Sequence, residues 1–290
     1  MIKYIVMDID GTLLNSKNEI SEKTKEILIS FQKNGGKLIL ASGRSYQRLL
    51  PIASQLCMNR YGGFLIEVDG IGFYNIETEK REILKEMNLL EVQSLIQYLM
   101  SLDCEVQVCE ENAIYAYIPE RLIPIKEKIR KERNLDKDFP WTSGPWDFIF
   151  DMRKAYSSIY YFEDCSEIKG KIRKIQIMDY ETHIQEVFQS LNKTFKNQFE
   201  FFRTSYRQIE ILPFGYSKGK TLKHIMKLNH IHRNEILSFG DGENDVSLFE
   251  QTEKSYAMGQ AKEYVNQHAT HITKSNNEDG IYYALKKEGF

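Results

Sequence analysis

A chain of 290 residues, 42% hydrophobic and 28% charged, is long enough to bury a sizeable core in one large domain or two ordinary ones. Its net charge is −2 and it has no long Lys/Arg block, so a nucleic-acid-binding surface is not expected. No apolar run reaches the length of a membrane span, and Asp8 interrupts the N-terminus too early for a signal segment, so a cytoplasmic protein without a membrane partner is expected. The four cysteines, Cys57, Cys104, Cys109 and Cys165, fit no CxxC metal or redox pattern and read as reduced thiols.

The first 80 residues alternate between strand and helix signals. "KYIVM" is a short apolar run ending at Asp8 and Asp10. "ISEKTKEILISFQKNG" has helical spacing, with Ser21 as a cap and Gly35-Gly36 as a stop. "KLILA" predicts a second strand, and "YQRLLPIASQL" a helix that must accommodate a proline. Such alternation implies parallel βαβ units. Between about residues 71 and 88 the rhythm changes, and "IGFYN" with "REILKEM" predicts a hairpin.

A helix follows in "LLEVQSLIQYLMSL", then strands in "CEVQVCE" and "AIYAYI". The "KEKIRKER" run alternates in sign and reads as a solvated helix face. From Pro119 to Gly170 the pattern is otherwise irregular, and "FPWTSGPWDF" reads as a loop. Its Trp141 and Trp146 read as packing residues rather than a stacking platform for a ligand. "KIRKIQIM" predicts a strand, "YETHIQEVFQSLNKTF" a helix, and "FEFFRT" and "RQIEIL" two strands. After Pro213 the βαβ rhythm returns with the helix "SKGKTLKHIMKLNHI", the strand "EILSFGD", the helix start "DVSLFEQT" and a closing helix "GIYYALKKEG". The simplest architecture is an α/β domain built from both ends, residues 1–83 and 209–290, with an α+β domain inserted at 84–208.

In an open parallel sheet, ligands bind beyond the carboxyl ends of the strands. Asp8 and Asp10 follow the first strand, Ser42 the second, and Asp241, Asn244 and Asp245 the strand "EILSFG", while Lys218 opens the preceding helix. Several carboxylates in one crevice call for a cation, and oxygen donors without His or Cys favour Mg²⁺ beside a substrate phosphate. A carboxylate near a phosphate dianion meets roughly 4 kcal/mol of repulsion per charge pair at 4 Å and an effective dielectric of 20. Mg²⁺ and a lysine would offset it. Ser42, with the loop amides of Ser42 and Gly43, would hold phosphate oxygens as an anion nest. Each piece has a plainer reading: a turn for "DxDG", a cap for Ser42, a surface lysine for Lys218. A calcium loop at "DGENDV" is excluded, because its sixth and twelfth positions are Val246 and Thr252. The joint order of the motifs favours a phosphoryl-transfer site.

"DIDGTLL", "ASGR", "SKGKTL" and "GDGENDVSLF" resemble the four motifs of the haloacid dehalogenase (HAD) superfamily, and the tail from "YAMGQAKEYV" onward resembles its Cof-type phosphatases. The resemblance implies a Rossmann-like parallel-sheet core with an inserted cap that shapes substrate specificity. It implies Asp8 as nucleophile, forming an aspartyl-phosphate, and Asp10 as general acid/base that also binds Mg²⁺ through its carbonyl. Asp241 would be a metal ligand, Asp245 its support, and Asn244 a neighbour of the phosphate or of metal-bound water. Ser42 and Lys218 would hold the phosphate. The chain departs from the subgroup at Asp69, where Asn is usual, and at Gln260. A small phosphorylated metabolite is the implied substrate. A phosphomutase and a non-catalytic phosphate-ligand binding protein remain alternatives.

Overall fold

In the computed structural model, which describes residues 1–290, β1 (Tyr4–Asp8) lies at the centre of the larger sheet. It is followed by α1 (Glu22–Lys33), β2 (Lys37–Ala41), α2 (Tyr46–Gln55), α3 (Met58–Tyr61) and β3 (Gly63–Glu67). The hairpin expected near residue 75 is β4 (Gly72–Asn75) and β5 (Lys80–Ile83). It runs antiparallel along the edge of β3, so the sheet is mixed rather than wholly parallel.

The chain then builds a second unit from α4 (Leu89–Ser101), β6 (Glu105–Cys109), β7 (Ala113–Tyr117), α5 (Ile123–Glu132), β8 (Ser158–Tyr161), β9 (Lys174–Met178), α6 (Glu181–Thr194), β10 (Phe199–Ser205) and β11 (Gln208–Pro213). It returns through α7 (Lys218–Leu228), β12 (Ile236–Gly240), α8 (Val246–Phe249), β13 (Lys254–Ala257), α9 (Glu263–His268), β14 (His271–Ile272) and α10 (Gly280–Lys287).

Two compact units result, Met1–Leu84 with Tyr216–Phe290, and Lys85–Gly215. The inserted unit runs seven residues beyond the expected end at 208, because β11 pairs antiparallel with both β9 and β10.

The larger sheet has eight strands in the order β14-β13-β12-β1-β2-β3-β4-β5. Both faces of its central strands are apolar. Ile5, Met7, Leu38, Leu40 and Phe239 pack with Ile27, Leu28, Leu49 and Leu285. Val6, Ile39, Ile66 and Ile236 pack with Leu222, Ile225 and Leu248. Burial on both faces is why these strands read as unbroken apolar runs. β1 pairs in parallel with β2 and β12, so Asp8, Ser42 and Asp241 emerge together at the carboxyl ends of these central strands.

The smaller sheet has six strands in the order β10-β11-β9-β6-β7-β8. Its central strands β6, β9 and β11 alternate. Val106, Val108, Ile175, Ile177, Ile209 and Ile211 face α4 and α6. Glu105, Gln107, Lys174, Gln176, Gln208 and Glu210 stand on the other face, and all six are buried. They satisfy one another across the strands. Gln176 donates to Gln107 at 2.8 Å, Gln208 donates to Gln176 at 3.0 Å, and Lys174 pairs with Glu210 at 2.5 Å.

The charged run in α5 is not wholly solvated. Lys126 is fully buried, 2.8 Å from Glu105, and donates to the carbonyls of Trp141 and Phe148 and to Ser143 Oγ. Burial lowers its pKa, against the pull of Glu105. This lysine anchors the irregular 139–150 segment, while Arg130 lies over the Trp141 ring at 4.4 Å. The sequence signal was misleading because sign alternation does not reveal which turn of a helix faces a partner. Lys126→Met is expected to cost about 3–5 kcal/mol in chemical denaturation, since it strands the buried Glu105 carboxylate. Adding Glu105→Gln should recover part of that loss. A cost below about 1 kcal/mol would contradict the assignment.

Candidate active site

The site grows from the loop after β1. Gly11 has φ +89°, and a Cβ there would lie 2.4 Å from Asp241 Oδ2, so only glycine lets the loop pass beneath Asp241. Thr12 Oγ1 donates to Asp241 Oδ1 at 2.8 Å. Gln260 Nε2 donates to the Gly11 carbonyl at 2.5 Å, and its Oε1 accepts from the Asn276 amide at 3.1 Å. The departure at Gln260 thus serves as a strut for the turn between Asp10 and Thr12.

Lys218 is the hub. Its Nζ lies 2.6 Å from Asp8 Oδ1 and 2.7 Å from Asp245 Oδ1, and all three residues are buried. The Ser217 cap accepts from the Lys220 amide at 3.2 Å and starts α7 at that point. Asp245 Oδ2 accepts from the Asp241 and Gly242 amides, each at 3.0 Å, which shapes the loop after β12. Oxygens of Asp8, Asp241 and Asp245 all lie within 4.8 Å of one another.

The charge balance is uneven. Burial first, and then Asp245, pushes the Asp8 carboxyl well above the usual range, while Lys218 offsets only part. Burial, with Asp245 next, raises Asp241 to about 7. Burial disfavours charge on Lys218 too, but Asp245, Asp8 and Asp69 outweigh it and hold its pKa well above normal. One lysine does not neutralise this many carboxylates. An all-oxygen donor set of this kind suits a hard cation.

Most of the expected residues come together. Asp8, Asp241, Asp245 and Lys218 form one cluster. Asp10 lies at its open side, half exposed, in a forked ion pair with Arg44 whose Nε–Oδ2 distance is 2.9 Å. Ser42 is buried, and its Oγ accepts from the Arg44 amide at 3.2 Å.

The nest expected at Ser42 needs correction. The Ser42 amide is spent on the Ile66 carbonyl at 3.0 Å, as β2–β3 pairing continues one residue further, so that N–H is not available to a ligand. Asn244 donates to Asp69 Oδ1 at 2.9 Å. Arg44, Thr12 and Asp69 belong to the site but were not singled out for it from sequence. Arg44 and Thr12 stand inside the quoted motifs, which was the available signal.

A second cluster, Cys104, Asp179 and His183, lies in the inserted unit with donor atoms within 4.8 Å. Arg121 closes it. Its guanidinium pairs with Asp179 and Asp103, and His183 Nδ1 lies 3.0 Å from Asp179. The protein itself supplies the cation there, and burial pushes the Cys104 thiol up to about 12.

The model of the haloacid dehalogenase-like hydrolase family matches residues 5–285. The Bacillus subtilis phosphatase YwpJ is 23% identical over 98% of this chain and 99% of its own. A haloacid dehalogenase-like hydrolase from Bacteroides thetaiotaomicron superposes with a TM-score of 0.74 at 27% identity, over 99% of this chain and 100% of that one. A sugar phosphatase of HAD subclass IIB shares the fold, with a TM-score of 0.74 at 24% identity over 99% of both chains. The chain belongs to the haloacid dehalogenase-like hydrolases, in their Cof-type branch, and is a phosphoric monoester hydrolase. Members of this family generally work with a metal ion. No helix of the chain is long and apolar enough to cross a membrane.

Proposed function

We propose that the protein is a Mg²⁺-dependent phosphatase that hydrolyses a small phosphorylated metabolite, such as a sugar phosphate, through an aspartyl-phosphate on Asp8. The observation that carries this reading is the clustering of the Asp8, Asp241 and Asp245 carboxylates, two of them paired with Lys218, at the carboxyl ends of β1 and β12. The donor set fits Mg²⁺. It is oxygen-only and short of positive charge, and it contains a partly buried Asp241 carboxyl whose pKa is raised by desolvation and then by the neighbouring Asp245.

Asp8 and Asp241 would hold the ion with the Asp10 carbonyl, and Asp245 would support Asp241 through its backbone amide. When bound, Mg²⁺ would offset phosphoryl charge and steady the phosphate for in-line attack. The chain's own residues do the rest. Lys218 fixes the Asp8 carboxylate at Oδ1 and contributes positive charge toward the phosphoryl oxygens. Ser42 Oγ and the Gly43 loop hold the phosphate. Asp8 attacks phosphorus and the ester oxygen leaves as Asp10 protonates it. Asp10, oriented by Arg44, then takes a proton from the water that splits the aspartyl-phosphate and regenerates Asp8.

The inserted unit serves in this reading as a cap that sets leaving-group preference, and nucleic acids and membranes are not partners. The test is phosphate release from a panel of sugar phosphates, nucleotides and vitamin phosphates, with and without Mg²⁺. Mg²⁺-dependent release from a small ester, strongest within one metabolite class, is expected. No release from any ester, or release of an isomerised sugar phosphate in place of free phosphate, would contradict it.

A further inference from the structure

Asp69 has no step in the proposed chemistry, yet it is 1% exposed and stands beside the site. It adopts φ 54°, in the left-handed region. Its amide donates to the Ser42 carbonyl at 2.9 Å, which ties the turn after β3 to the loop after β2. Its Oδ1 accepts from Asn244 Nδ2 at 2.9 Å and lies 4.0 Å from Lys218 Nζ. The turn is locked against the start of α7. Gly70 has φ +103°, and a Cβ there would lie 2.2 Å from the Ser217 carbonyl oxygen. Thr221 Oγ1 donates to the Gly70 carbonyl.

None of this geometry requires a carboxylate. Asparagine tolerates a left-handed φ at least as well as aspartate, and its side-chain oxygen accepts the same bond from Asn244. What Asp69 adds over its amide isostere is one negative charge close to Lys218. That lysine already faces Asp8 and Asp245. A third carboxylate leaves little of its positive charge uncompensated.

We propose that Asp69 is a positioning residue that makes the site bind its cation before its phosphate. Through Lys218 and Asn244 it holds the phosphate-binding side net negative, so a phosphate dianion binds poorly until a divalent cation is in place. The inference rests on the metal reading above and concerns the charge of one chain-specific residue. Asp69→Asn should raise the affinity of the metal-free protein for inorganic phosphate and lower its affinity for Mg²⁺. Each shift should be roughly tenfold, the size expected for removing one unit charge from a largely screened site.

Both are read by calorimetry on the full chain, with phosphate titrated into chelator-treated protein and Mg²⁺ into phosphate-free protein. Opposite shifts cannot come from a damaged fold, which would weaken both. Asp69→Ala is the control for the hydrogen bond. It should show the same stronger phosphate binding but a lower kcat than Asp69→Asn, because Asn244 also loses its acceptor. Unchanged or weaker phosphate binding in Asp69→Asn would overturn the proposal, and this arm needs no metal. Absence of Mg²⁺ binding by the unaltered protein would instead overturn the metal reading, and the binding order with it.

Discussion

Asp8→Asn is expected to abolish turnover of every phosphate ester, by roughly ten-thousandfold or more, because an amide oxygen is a far poorer nucleophile than a carboxylate. The loss should not depend on the leaving group. Asp10→Asn should behave differently. An alkyl phosphate needs its leaving oxygen protonated, so this variant should be nearly inactive on it. Nitrophenyl phosphate leaves with little help. On that ester the variant should still phosphorylate Asp8, then hydrolyse slowly for want of a base. The trace would show a burst of nitrophenol followed by a slow steady state. The two aspartates stand in different surroundings. Asp8 is buried against Lys218, while Asp10 is half exposed beside Arg44. Equal losses on both esters without a burst would reverse the assignment.

Excess chelator is expected to abolish hydrolysis and added Mg²⁺ to restore it. Asp241→Ala should weaken Mg²⁺ binding more than Ser42→Ala, since the Asp241 carboxylate lies among the donor oxygens and Ser42 Oγ is an acceptor for Arg44. A pH dependence follows. Burial, then Asp245, raises the Asp241 carboxyl from an ordinary 3.8 to about 7. A carboxyl whose folded pKa lies above its unfolded value adds stability below the unfolded pKa and loses it as pH rises through the folded one. The metal-free protein should therefore lose stability between about pH 4 and pH 7 through this group. In the proposed reading, Mg²⁺ would take the place of that proton. The rise in Tm on adding Mg²⁺ should grow from about pH 6 to about pH 8. A rise that shrinks over that range, or full activity in chelator, would contradict the reading.

The unit built from both ends of the chain was legible because its signals are local. A strand buried on both faces is an apolar run, and a carboxylate at its end breaks the run visibly, as at Asp8 and Asp241. Lys218 stood out for the same reason, one residue after the Ser217 cap. What escaped was set by contacts distant in sequence. The Ser42 amide is committed to Ile66, and no spacing rule reveals that. Lys126 looked solvated because its partners, Glu105 and the 141–148 carbonyls, lie elsewhere in the chain. The polar row Gln107, Gln176 and Gln208 is invisible as a unit until β6, β9 and β11 are placed side by side. Asp69 and Gln260 read as departures, and only their bonds to Asn244 and Gly11 gave them work.

The most direct measurement is of the covalent intermediate. The Asp10→Asn variant, mixed with a phosphate ester carrying radiolabelled phosphorus and quenched in acid, should hold label on one peptide. That peptide should contain Asp8, and hydroxylamine should release the label, as an acyl phosphate requires. Asp8→Asn on the same background should hold none. Label on another residue, or rapid turnover with no labelled protein at any quench time, would contradict transfer through Asp8.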